Sequence, residues 1–575
     1  MYHYSFNRLK KNLKKDFSGL KKIKLALLSD SASQLLAQAL RGHGFESQVD
    51  FELFEADYNQ VDQQVFDPAS ELYVFRPSFV FINLSSEHLL KDFYRADGKQ
   101  QSDFGRNRAE KIMTYCQAVQ SGLGAKVILN TFVEINDAVY GNYAAKTNKS
   151  FIYQVRVCNL MLMEYAQKNK DLYICDLALL QAASGYEHTF DPKMYVNGDM
   201  VYSIDFLPVI ARHISDIILS VSGVFKKCLI MDLDNTLWGG IIGDDGMEGI
   251  ELGDLGIGKA FTLLQSWARQ LSLRGIILAV CSKNTEAIAL EPFEKHPDMV
   301  LRREDIAVFA VNWETKVQNI RHIQQVLNIG FDSMVFLDDN PFEREMVKSA
   351  IAGITVPDLP EDPADYLPYL RTLNLFETAL VTEEDQQRNR QYREEAERND
   401  LQQRFENEGE FLQSLSMQAI VKPFDRFSAP RVAQLSQRSN QFNLRTIRYT
   451  EDEINRILSS PEYLTRSFSL SDRIGDHGLI SIIILKKLDS ARIFIDTWIM
   501  SCRVLKRGVE KFVLNEIADM AQGAGYTRLI GEYLPTRKNG IVQDHYKQLG
   551  FTLSEGLWEL DLTGYNKLET FINYK

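Results

Sequence analysis

Short runs of apolar residues, each followed by polar residues, alternate with helical patterns in the N-terminal part of the chain. The runs are Lys24–Leu28, Phe79–Ile82, Lys126–Leu129 and Leu172–Cys175. Their length and their β-branched and aromatic content predict buried strands. Because helical stretches separate them, the pattern predicts a doubly wound α/β domain.

A lysine-rich segment between Asn7 and Lys24 precedes the first of these strands. Its apolar residues, Leu9, Leu13, Phe17 and Leu20, fall at helical spacing. This pattern predicts a solvated amphipathic helix, and a helix that binds a membrane surface or an acidic partner is the other interpretation.

The run Cys228–Met231 predicts another buried strand, and it leads directly into Asp232-Leu-Asp234-Asn-Thr236. The carboxyl edge of an open α/β sheet is where such folds bind ligands. Since alternate residues share a direction, Asp232 and Asp234 can address one point. One carboxylate can attack phosphorus while the other transfers the proton. For an isolated Asp-x-Asp, a solvated acidic turn is the competing interpretation.

Two further predicted strands end in polar residues that suit the same chemistry. Ile276–Val280 is followed by Ser282, whose hydroxyl can hold a phosphoryl oxygen, and Met334–Leu337 is followed by Asp338 and Asp339. Two more acids at a strand end would complete an oxygen cage for Mg²⁺. Lys316, which opens a helical pattern, supplies an ammonium that can neutralise a phosphorane.

This ordered set resembles the four motifs of the haloacid dehalogenase (HAD) superfamily of phosphotransferases. The resemblance implies that Asp232 is the nucleophile, Asp234 the general acid/base and Lys316 the stabilising cation. It also implies phosphate contacts and Mg²⁺ ligands. The phosphate contacts are Thr236, Ser282, Lys283 and Asn284, and the Mg²⁺ ligands are Asp232, Asp234, Asp338 and Asp339.

Little sequence separates the first motif from Ser282, which leaves no room for a large cap domain on that side. Ile241–Leu255 is rich in glycine and aspartate and is predicted to form a small flap. The proline- and acid-rich stretch Asp358–Asp365 predicts a hinge. The heavily charged stretch Thr382–Phe411 predicts a solvated linking helix.

The start of the chain weakly resembles the SGNH hydrolases. Asp30-Ser31 stands where that family has its nucleophilic serine, and Asn130 matches its asparagine. The family also has a histidine three residues after an aspartate, but here Asp191 is followed by Met194. A serine without a base is a poor nucleophile, so we predict an inactive domain kept for docking or scaffolding.

Near the C-terminus, Gly478–Lys486 and Arg492–Met500 predict a hairpin, with a helix and strand after it. Together with Tyr546-x-x-x-Gly-Phe551, this order resembles the GNAT acyltransferases. That family holds the coenzyme A pyrophosphate in a glycine-rich loop. Here only Gly508 remains, and Glu510 would repel phosphate. The resemblance therefore favours a phosphopantetheine arm, which has no pyrophosphate.

Cys502 closes the second strand of this hairpin. A turn centred near Asp489 predicts that residues whose numbers sum to about 978 face each other, which sets His477 opposite Ser501 or Cys502. A histidine beside a thiol can depress its pKa and supply the thiolate. Arg503 and Asp476 are the sequence neighbours of Cys502 and His477, respectively. A buried, inert cysteine at a strand end is the other interpretation.

Composition narrows the classes of partner. The 575 residues carry a net charge of −12, which argues against nucleic acid as a partner. No apolar run approaches the roughly 20 residues that span a bilayer, so no membrane partner is expected. The six cysteines include no CxxC pair, and no signal peptide is evident. We therefore expect reduced thiols and a cytoplasmic location.

Taken together, the three domains resemble the FkbH-like family, also called HAD subfamily IIIC. The expected fold is α/β with an SGNH-like domain (1–222), a HAD-like Rossmannoid domain without a large cap (223–375), a linking helix (376–415) and a GNAT-like domain (416–575). The resemblance implies capture of a glyceryl unit from 1,3-bisphosphoglycerate, its dephosphorylation, and delivery as a thioester to an acyl carrier protein in polyketide or related pathways. A plain Mg²⁺-dependent phosphatase and a non-catalytic scaffold are the alternatives.

Overall fold

The computed structural model describes residues 4–379, 381, 394, 398, 401–402, 405, 407–438, 442–501, 504–505, 507–536 and 539–575. The chain divides into two compact units, Met1–Ser222 with Thr372–Leu380, and Gly223–Arg371 with Val381–Lys575. Within the described ranges the strands form three sheets. The predicted α/β class is confirmed.

The first unit contains a parallel five-stranded sheet in the order β2-β1-β3-β4-β5. Alternate residues of its central strands enter two separate apolar cores, one on each face, as Leu25 and Phe81 do on one side and Ala26 and Val80 on the other. Burial on both faces explains why these strands are almost wholly apolar. Its strands are β1 Lys21–Ser29, β2 Val49–Glu55, β3 Phe79–Asn83, β4 Lys126–Asn130 and β5 Leu172–Cys175.

Helices flank this sheet in the doubly wound arrangement that the alternation predicted. They are α1 Phe6–Asn12, α2 Gln34–Glu46, α3 Val61–Phe66, α4 Glu71–Phe75, α5 Ser86–Arg95, α6 Gly98–Ser102, α7 Phe104–Leu123, α8 Phe151–Lys168, α9 Leu177–Ser184, α10 Tyr186–Thr189, α11 Pro192–Gly198 and α12 Leu207–Val221, with a 3₁₀ turn at Gly141–Lys146.

Two expectations for this unit are wrong in detail. The N-terminal helix ends at Asn12, and Lys21 already belongs to β1, so Phe17 and Leu20 are not part of a helical stripe. The edge strand β2 was not expected, because its acidic residues Asp50, Glu52 and Glu55 interrupt the apolar run.

The second unit begins with a parallel four-stranded sheet in the order β8-β7-β6-β9. The strands are β6 Cys228–Met231, β7 Ile277–Ser282, β8 Val308–Val311 and β9 Met334–Leu337. The helices of this part are α13 Ile242–Gly249, α14 Gly258–Leu273, α15 Glu286–Lys295, α16 Lys316–Leu327, α17 Pro341–Ala350 and α18 Tyr366–Thr372, with 3₁₀ turns at Arg303–Asp305, Phe331–Ser333 and Pro363–Asp365. Every residue of β6 is buried, since β7 and β9 pair with its two edges.

The C-terminal sheet is mixed and has the order β15-β16-β14-β13-β12-β11-β10-β17 among the residues described. Its strands are β10 Gln418–Lys422, β11 Tyr463–Ser471, β12 Asp476–Lys487, β13 Arg492–Met500, β14 Arg528–Gly531, β15 Thr552–Ser554, β16 Leu557–Asp561 and β17 Asn573–Tyr574. Its helices are α19 Glu408–Ser414, α20 Ala429–Arg438, α21 Glu451–Ser459, α22 Val509–Gly523 and α23 His545–Gln548, with a 3₁₀ turn at Gly540–Val542.

The predicted hairpin is present as β12 and β13, and its register differs by three from the count made from the turn, within the roughly two to four residues allowed for such a count. Ser481 pairs with Met500 and Ile484 with Thr497, so facing residues sum to 981 there rather than 978, and a bulge follows Ile484. The described ladder ends at Ser481, so this pairing does not set His477 opposite Ser501. Cys502 and Arg503 lie outside the described residues, as does most of the predicted linking helix Thr382–Phe411.

Candidate active site

The carboxyl ends of β6, β7 and β9 bring the predicted motifs to one edge of the four-stranded sheet. Met231 is in register with Val280 of β7 and with Leu337 of β9. Asp232, Ser282 and Asp338 therefore leave neighbouring strands at about the same level. All three are buried, as the interior position of β6 requires.

Lys316 lies at the centre of the charged residues. Thr315 caps the helix that Lys316 opens by accepting a hydrogen bond from the Gln318 amide at 3.3 Å. The Lys316 ammonium donates to Asp232 Oδ2 at 2.6 Å and also contacts the Asp338 carboxylate. Burial favours the neutral amine, but these two carboxylates outweigh it and hold the pKa of Lys316 above its ordinary value. The cation is thus permanent.

Asp232, Asp338 and Asp339 each place one carboxylate oxygen within 4.8 Å of the others. We call these three acids and Lys316 the phosphoryl site. Asp232 Oδ1 is buried and has no hydrogen-bond partner, although its other oxygen is held by Lys316. An unpartnered buried carboxylate oxygen is costly, and hard divalent cations prefer oxygen ligands of this kind. The donor set therefore fits a magnesium ion.

The carboxylates of the phosphoryl site are themselves held in place. The Arg344 guanidinium donates to the main-chain carbonyls of Asp338 and Asp339 at 2.8 and 2.6 Å. The Asn340 amide donates to Asp338 Oδ1 at 2.9 Å. Burial, together with the negative charge of Asp232, raises the pKa of Asp338 to about 7. A bound cation would offset this concentration of negative charge.

Thr236, predicted as a phosphate contact, supports Asp339. Its hydroxyl donates to Asp339 Oδ1 at 3.3 Å and accepts from the Asp339 amide at 3.1 Å. Thr236 is fully buried in this arrangement. The structure therefore gives this side chain the task of positioning a metal-ligand candidate.

The Asp234 carboxylate is not among the acids whose oxygens lie within 4.8 Å of one another, and its role as a metal ligand stays a prediction. Its Oδ1 accepts from the Trp238 indole at 2.9 Å and from the Ile242 amide at 3.1 Å, and its Oδ2 accepts from Asn284 at 3.1 Å. Burial raises the pKa of Asp234. A carboxyl group that is oriented by three donors and binds protons more tightly than usual suits a general acid.

Two residues predicted to contact phosphate, Lys283 and Asn284, bind protein side chains in this structure. Lys283 pairs with Glu343 at 2.6 Å, and the Asn284 amide group donates to Asp234. Ser282 ends β7 as a buried residue. Of the predicted set, Lys316 pairs with Asp232 and Asp338, Asp339 lies within 4.8 Å of both acids, and Thr236 is hydrogen-bonded to Asp339.

The segment predicted as a flap contains the short helix α13, kinked at Gly246, where φ is 68°. Asn235 adopts a left-handed conformation, with φ of 54°, and its side chain accepts from the Gly240 amide at 3.0 Å. Gly239 forms a bridge with Glu251. This tight turn sets the flap beside the Asp234 carboxylate through the Ile242 amide.

Comparisons with known proteins identify relatives of this chain. A family model described as the FkbH N-terminal domain matches residues 24–219. The N-terminal part of BF1531 from Bacteroides fragilis, a crystal structure described as containing a phosphatase domain complexed with Mg, is 50% identical. The match covers 66% of this chain and 100% of that one, with a TM-score of 0.64. This chain belongs to the FkbH-like family.

Other matches to the FkbH-like chain are weaker. The ribosomal-protein-S18-alanine N-acetyltransferase from Escherichia coli is 13% identical over 26% of this chain and 97% of its own, with a TM-score of 0.20. The GNAT domain of S. lividans PAT is 17% identical over 25% of this chain and 90% of its own, also with a TM-score of 0.20. No curated protein matches the chain.

His477 of the FkbH-like chain belongs to a buried charged network. Its Nε2 lies 3.0 Å from Asp472 Oδ2 and 3.4 Å from Arg507, and Arg398 binds Asp472 through two hydrogen bonds of 2.7 and 2.8 Å. Burial, reinforced by the two arginines, lowers the pKa of His477. The imidazole is therefore neutral. Cys502, its predicted partner, is outside the described residues.

The sequence motifs of the FkbH-like chain did not point to Arg344, Glu343 or Trp238 as parts of the site. Trp238 stands inside the first motif, four residues after Asp234, so its indole meets that carboxylate locally. Arg344 follows Pro341 by one helical turn and folds back onto the two aspartates. A charged residue in the first turn after an Asp-Asp-Asn-Pro cap is the signal that identifies it.

No helix in the described part of the chain is long and apolar enough to cross a membrane.

Proposed function

We propose that this FkbH-like protein is an Mg²⁺-dependent phosphatase of the HAD type, coupled to transfer of an acyl group onto a carrier protein. The single observation that carries the proposal is the Asp232 carboxylate. One of its oxygens is held by Lys316, and the other is buried and unpartnered beside Asp338 and Asp339.

Asp232, Asp338 and Asp339 are the residues that would hold the magnesium ion. The 50% identical BF1531 structure, described as complexed with Mg, supports this assignment. When bound, Mg²⁺ offsets the repulsion between the Asp232 carboxylate and the phosphoryl oxygens.

The phosphatase step is carried by residues of the chain. Asp232 attacks the phosphorus of a phosphate ester, so a P–O bond to the carboxylate forms and the bond to the leaving alcohol breaks. Asp234 donates the proton that the alkoxide needs, and Lys316 stabilises the charge on the phosphoryl oxygens. Water then attacks the aspartyl phosphate, and its proton returns to Asp234. Asp232 and inorganic phosphate are released.

The acyl step needs a nucleophile for an activated acyl group. With 1,3-bisphosphoglycerate, the Cys502 thiolate attacks the acyl carbonyl carbon, the C–S bond forms, and phosphate leaves from the acyl phosphate. The phosphoryl site then removes the remaining phosphate ester. Exchange with the pantetheine thiol of an acyl carrier protein delivers the glyceryl thioester and restores the Cys502 thiol. The acyl phosphate supplies the energy, so no other co-reactant is required.

His477 is the proposed base for that cysteine. If its Nε2–H donates to Asp472, the neutral imidazole carries its lone pair on Nδ1. Although burial favours the protonated acid, hydrogen bonds from His477 and Arg398 keep the pKa of Asp472 well below its usual value. The Asp472 charge opposes part of the fall in the His477 pKa that burial and the two arginines cause, so the neutral imidazole keeps a lone pair for the thiol proton.

The test is a phosphate count combined with peptide mass spectrometry. Wild type with 1,3-bisphosphoglycerate, Mg²⁺ and carrier protein is expected to release two phosphates for each glyceryl thioester formed. Without carrier, the acyl group is expected on the Cys502 peptide. Asp232→Asn should release one phosphate and accumulate an adduct that is heavier by one phosphoryl group.

Cys502→Ala is expected to lose both the adduct and carrier loading, whereas Cys116→Ala, a buried cysteine of the first unit, should retain them. Phosphate release by wild type with no acyl adduct and no loaded carrier would leave a plain Mg²⁺-dependent phosphatase. Absence of phosphate release from any phosphomonoester in the presence of Mg²⁺ would leave the scaffold interpretation.

A further inference from the structure

The carboxyl edge of the N-terminal sheet contains a second group of acids that the phosphatase proposal does not use. In the order β2-β1-β3-β4-β5, β2 lies on one side of β1, and β3, β4 and β5 follow on the other side. The strand order therefore reverses between β1 and β3. Open α/β sheets bind ligands in the crevice at such a switch point. Asp30 follows β1, and Glu87 lies in the first turn of α5, after β3. Asp199 joins them. We call Asp30, Glu87 and Asp199 the N-terminal acidic cluster.

Hydrogen bonds fix two of these acids. The Ser85 amide donates to both oxygens of Asp30, at 3.0 and 3.1 Å. The His88 imidazole lies 3.1 Å from Asp199, whose carbonyl accepts from the Ala32 amide at 3.0 Å. Three segments that are distant in sequence therefore meet at this edge in a defined geometry.

Glu87 is the member that points to a ligand. Its side chain is more than nine-tenths buried, and neither carboxylate oxygen has a hydrogen-bond partner from another residue. Ser85 and His88, which flank Glu87 in the chain, contact Asp30 and Asp199. Burial, together with those two acids, raises the pKa of Glu87 to about 7. The first turn of a helix favours negative charge, which explains how the fold carries this group without a partner.

Two tyrosines, Tyr58 and Tyr195, lie close enough to these acids to interact with them electrostatically. A hydrogen bond to Asp199 raises the pKa of Tyr58 to about 12, and burial together with Asp199, Glu87 and Asp30 raises the pKa of Tyr195. The Tyr58 ring also contacts His88 edge-on, at 6.3 Å between centroids. Carboxylates combined with aromatic faces are the surroundings that organic cations prefer.

The spacing of the acids distinguishes between kinds of cation. Among the described residues, the acids that come close enough to share one metal ion are Asp232, Asp338 and Asp339, and the N-terminal acidic cluster does not meet that condition. A larger cation with several N–H donors can reach carboxylates that are farther apart. The nearby cation Arg108 is already paired with Asp92.

We propose that the N-terminal unit binds a small organic ammonium compound, with Glu87, Asp30 and Asp199 as the acceptors of its N–H groups. Asp199 and His88 are partly exposed and give access from solvent, while Glu87 lies at the buried end. This site is separate from the phosphoryl chemistry and does not depend on it.

The test is calorimetric titration of the full chain with 1,4-diaminobutane at constant ionic strength. The matched probe is 1,4-butanediol, which has the same length but no charge. Binding is expected for the diamine and not for the diol. The matched variants are Glu87→Gln, expected to weaken diamine binding at least tenfold, and Glu164→Gln, an exposed glutamate of α8, expected to bind like wild type.

Each contrary outcome overturns the proposal. Equal heats from diamine and diol would remove the ammonium requirement, and equal affinity in Glu87→Gln would place the cation elsewhere. Mg²⁺ binding that is lost in Glu87→Gln would make this a metal site. Circular dichroism of Glu87→Gln shows whether the variant has folded. If it has not, Asp199→Asn, at a partly exposed position, is expected to show the same loss.

Discussion

The carboxyl edges of the two parallel sheets each carry three acids, but the acids are compensated differently. In the phosphoryl site, Lys316 lies between Asp232 and Asp338, and the three acids are close enough to share one ion. In the N-terminal acidic cluster the contacting base is His88, and Glu87 is left without a partner. A built-in cation therefore distinguishes a site suited to phosphoryl transfer from one suited to binding a charged ligand.

Replacing the nucleophile should have the largest effect. Asp232→Asn is expected to reduce Mg²⁺-dependent phosphate release from p-nitrophenyl phosphate by at least about 10³-fold, because an amide cannot form the aspartyl phosphate. The carboxylate-to-amide control is Glu294→Gln, in a surface ion pair, and should hydrolyse like wild type. Equal rates in Asp232→Asn and wild type would exclude this residue as the nucleophile.

Removing the built-in cation should make the phosphoryl site unstable. Lys316→Met leaves Asp232 and Asp338 buried without their ion pair, and the free energy of unfolding in metal-free buffer is expected to fall by about 3–5 kcal/mol. Added Mg²⁺ should restore part of it, since an ion that binds the folded state alone is stabilising. Urea denaturation measures both.

The control for this variant is Lys348→Met, whose ion-pair partner Asp358 has a side chain that is 53% exposed. Its loss is expected to be about 1 kcal/mol. Equal losses for the two variants would show that Lys316 is no more than an ordinary ion-pair partner.

Removing a charge from the N-terminal acidic cluster should change the free energy of unfolding in the opposite direction. Glu87→Gln is expected to raise the free energy of unfolding by about 1–3 kcal/mol at pH 8, because a buried, unpartnered charge is costly. The pKa of Glu87 is raised from 4.5 to about 7 in the folded protein, so the penalty develops as pH rises through that window. The gain should vanish below pH 4.5. A loss of stability at pH 8 would contradict this account.

In the phosphoryl site, replacing Thr236 should reduce catalytic activity by less than replacing Asp232 does. Thr236→Val removes the hydroxyl that holds Asp339, and catalytic turnover at limiting Mg²⁺ is expected to fall about tenfold. Thr236→Ser keeps the hydroxyl and should recover most of the activity. A titration of activity against Mg²⁺ measures both variants, and equal Mg²⁺ dependence in valine and serine variants would exclude a positioning role.

The smallest expected effect is at Ser31. Ser31→Ala should leave phosphate release and p-nitrophenyl acetate hydrolysis at wild-type rates, because the Ser31 hydroxyl is hydrogen-bonded to the Ser29 hydroxyl at 3.3 Å, and a hydroxyl is not a base that can activate it. Ester hydrolysis by wild type that disappears in Ser31→Ala would overturn the prediction of an inactive hydrolase fold.

Sequence reasoning located the phosphoryl site because its parts follow uninterrupted apolar strands. Cys228–Met231 and Met334–Leu337 were predicted with their observed bounds, since strands buried on both faces leave no polar residue to blur their ends. Parallel pairing then places Asp232 and Asp338 side by side. The roles of Lys283, Asn284 and the Asp234 side chain were harder to predict, because they depend on rotamers and on partners as distant as Glu343.

Other features left no signal in the sequence. The strand Val49–Glu55 was missed because it lies at the sheet edge and tolerates acids. The hairpin register already differs from the count at its turn end, where Lys487 pairs with Ile493, and the bulge after Ile484 shifts it by one more residue. A count from the turn reveals neither. His88 and Asp199 are 111 residues apart, so only the folded chain brings them together.

The flap contact with the acid has a consequence for divergence among proteins of this kind. The group that reaches Asp234 from the flap is the main-chain N–H of Ile242, not a side chain. Every amino acid except proline supplies that donor. Substitutions along 241–255 can therefore change the side chains that the flap presents while the donor that orients the Asp234 carboxylate is kept, provided that position 242 is not proline.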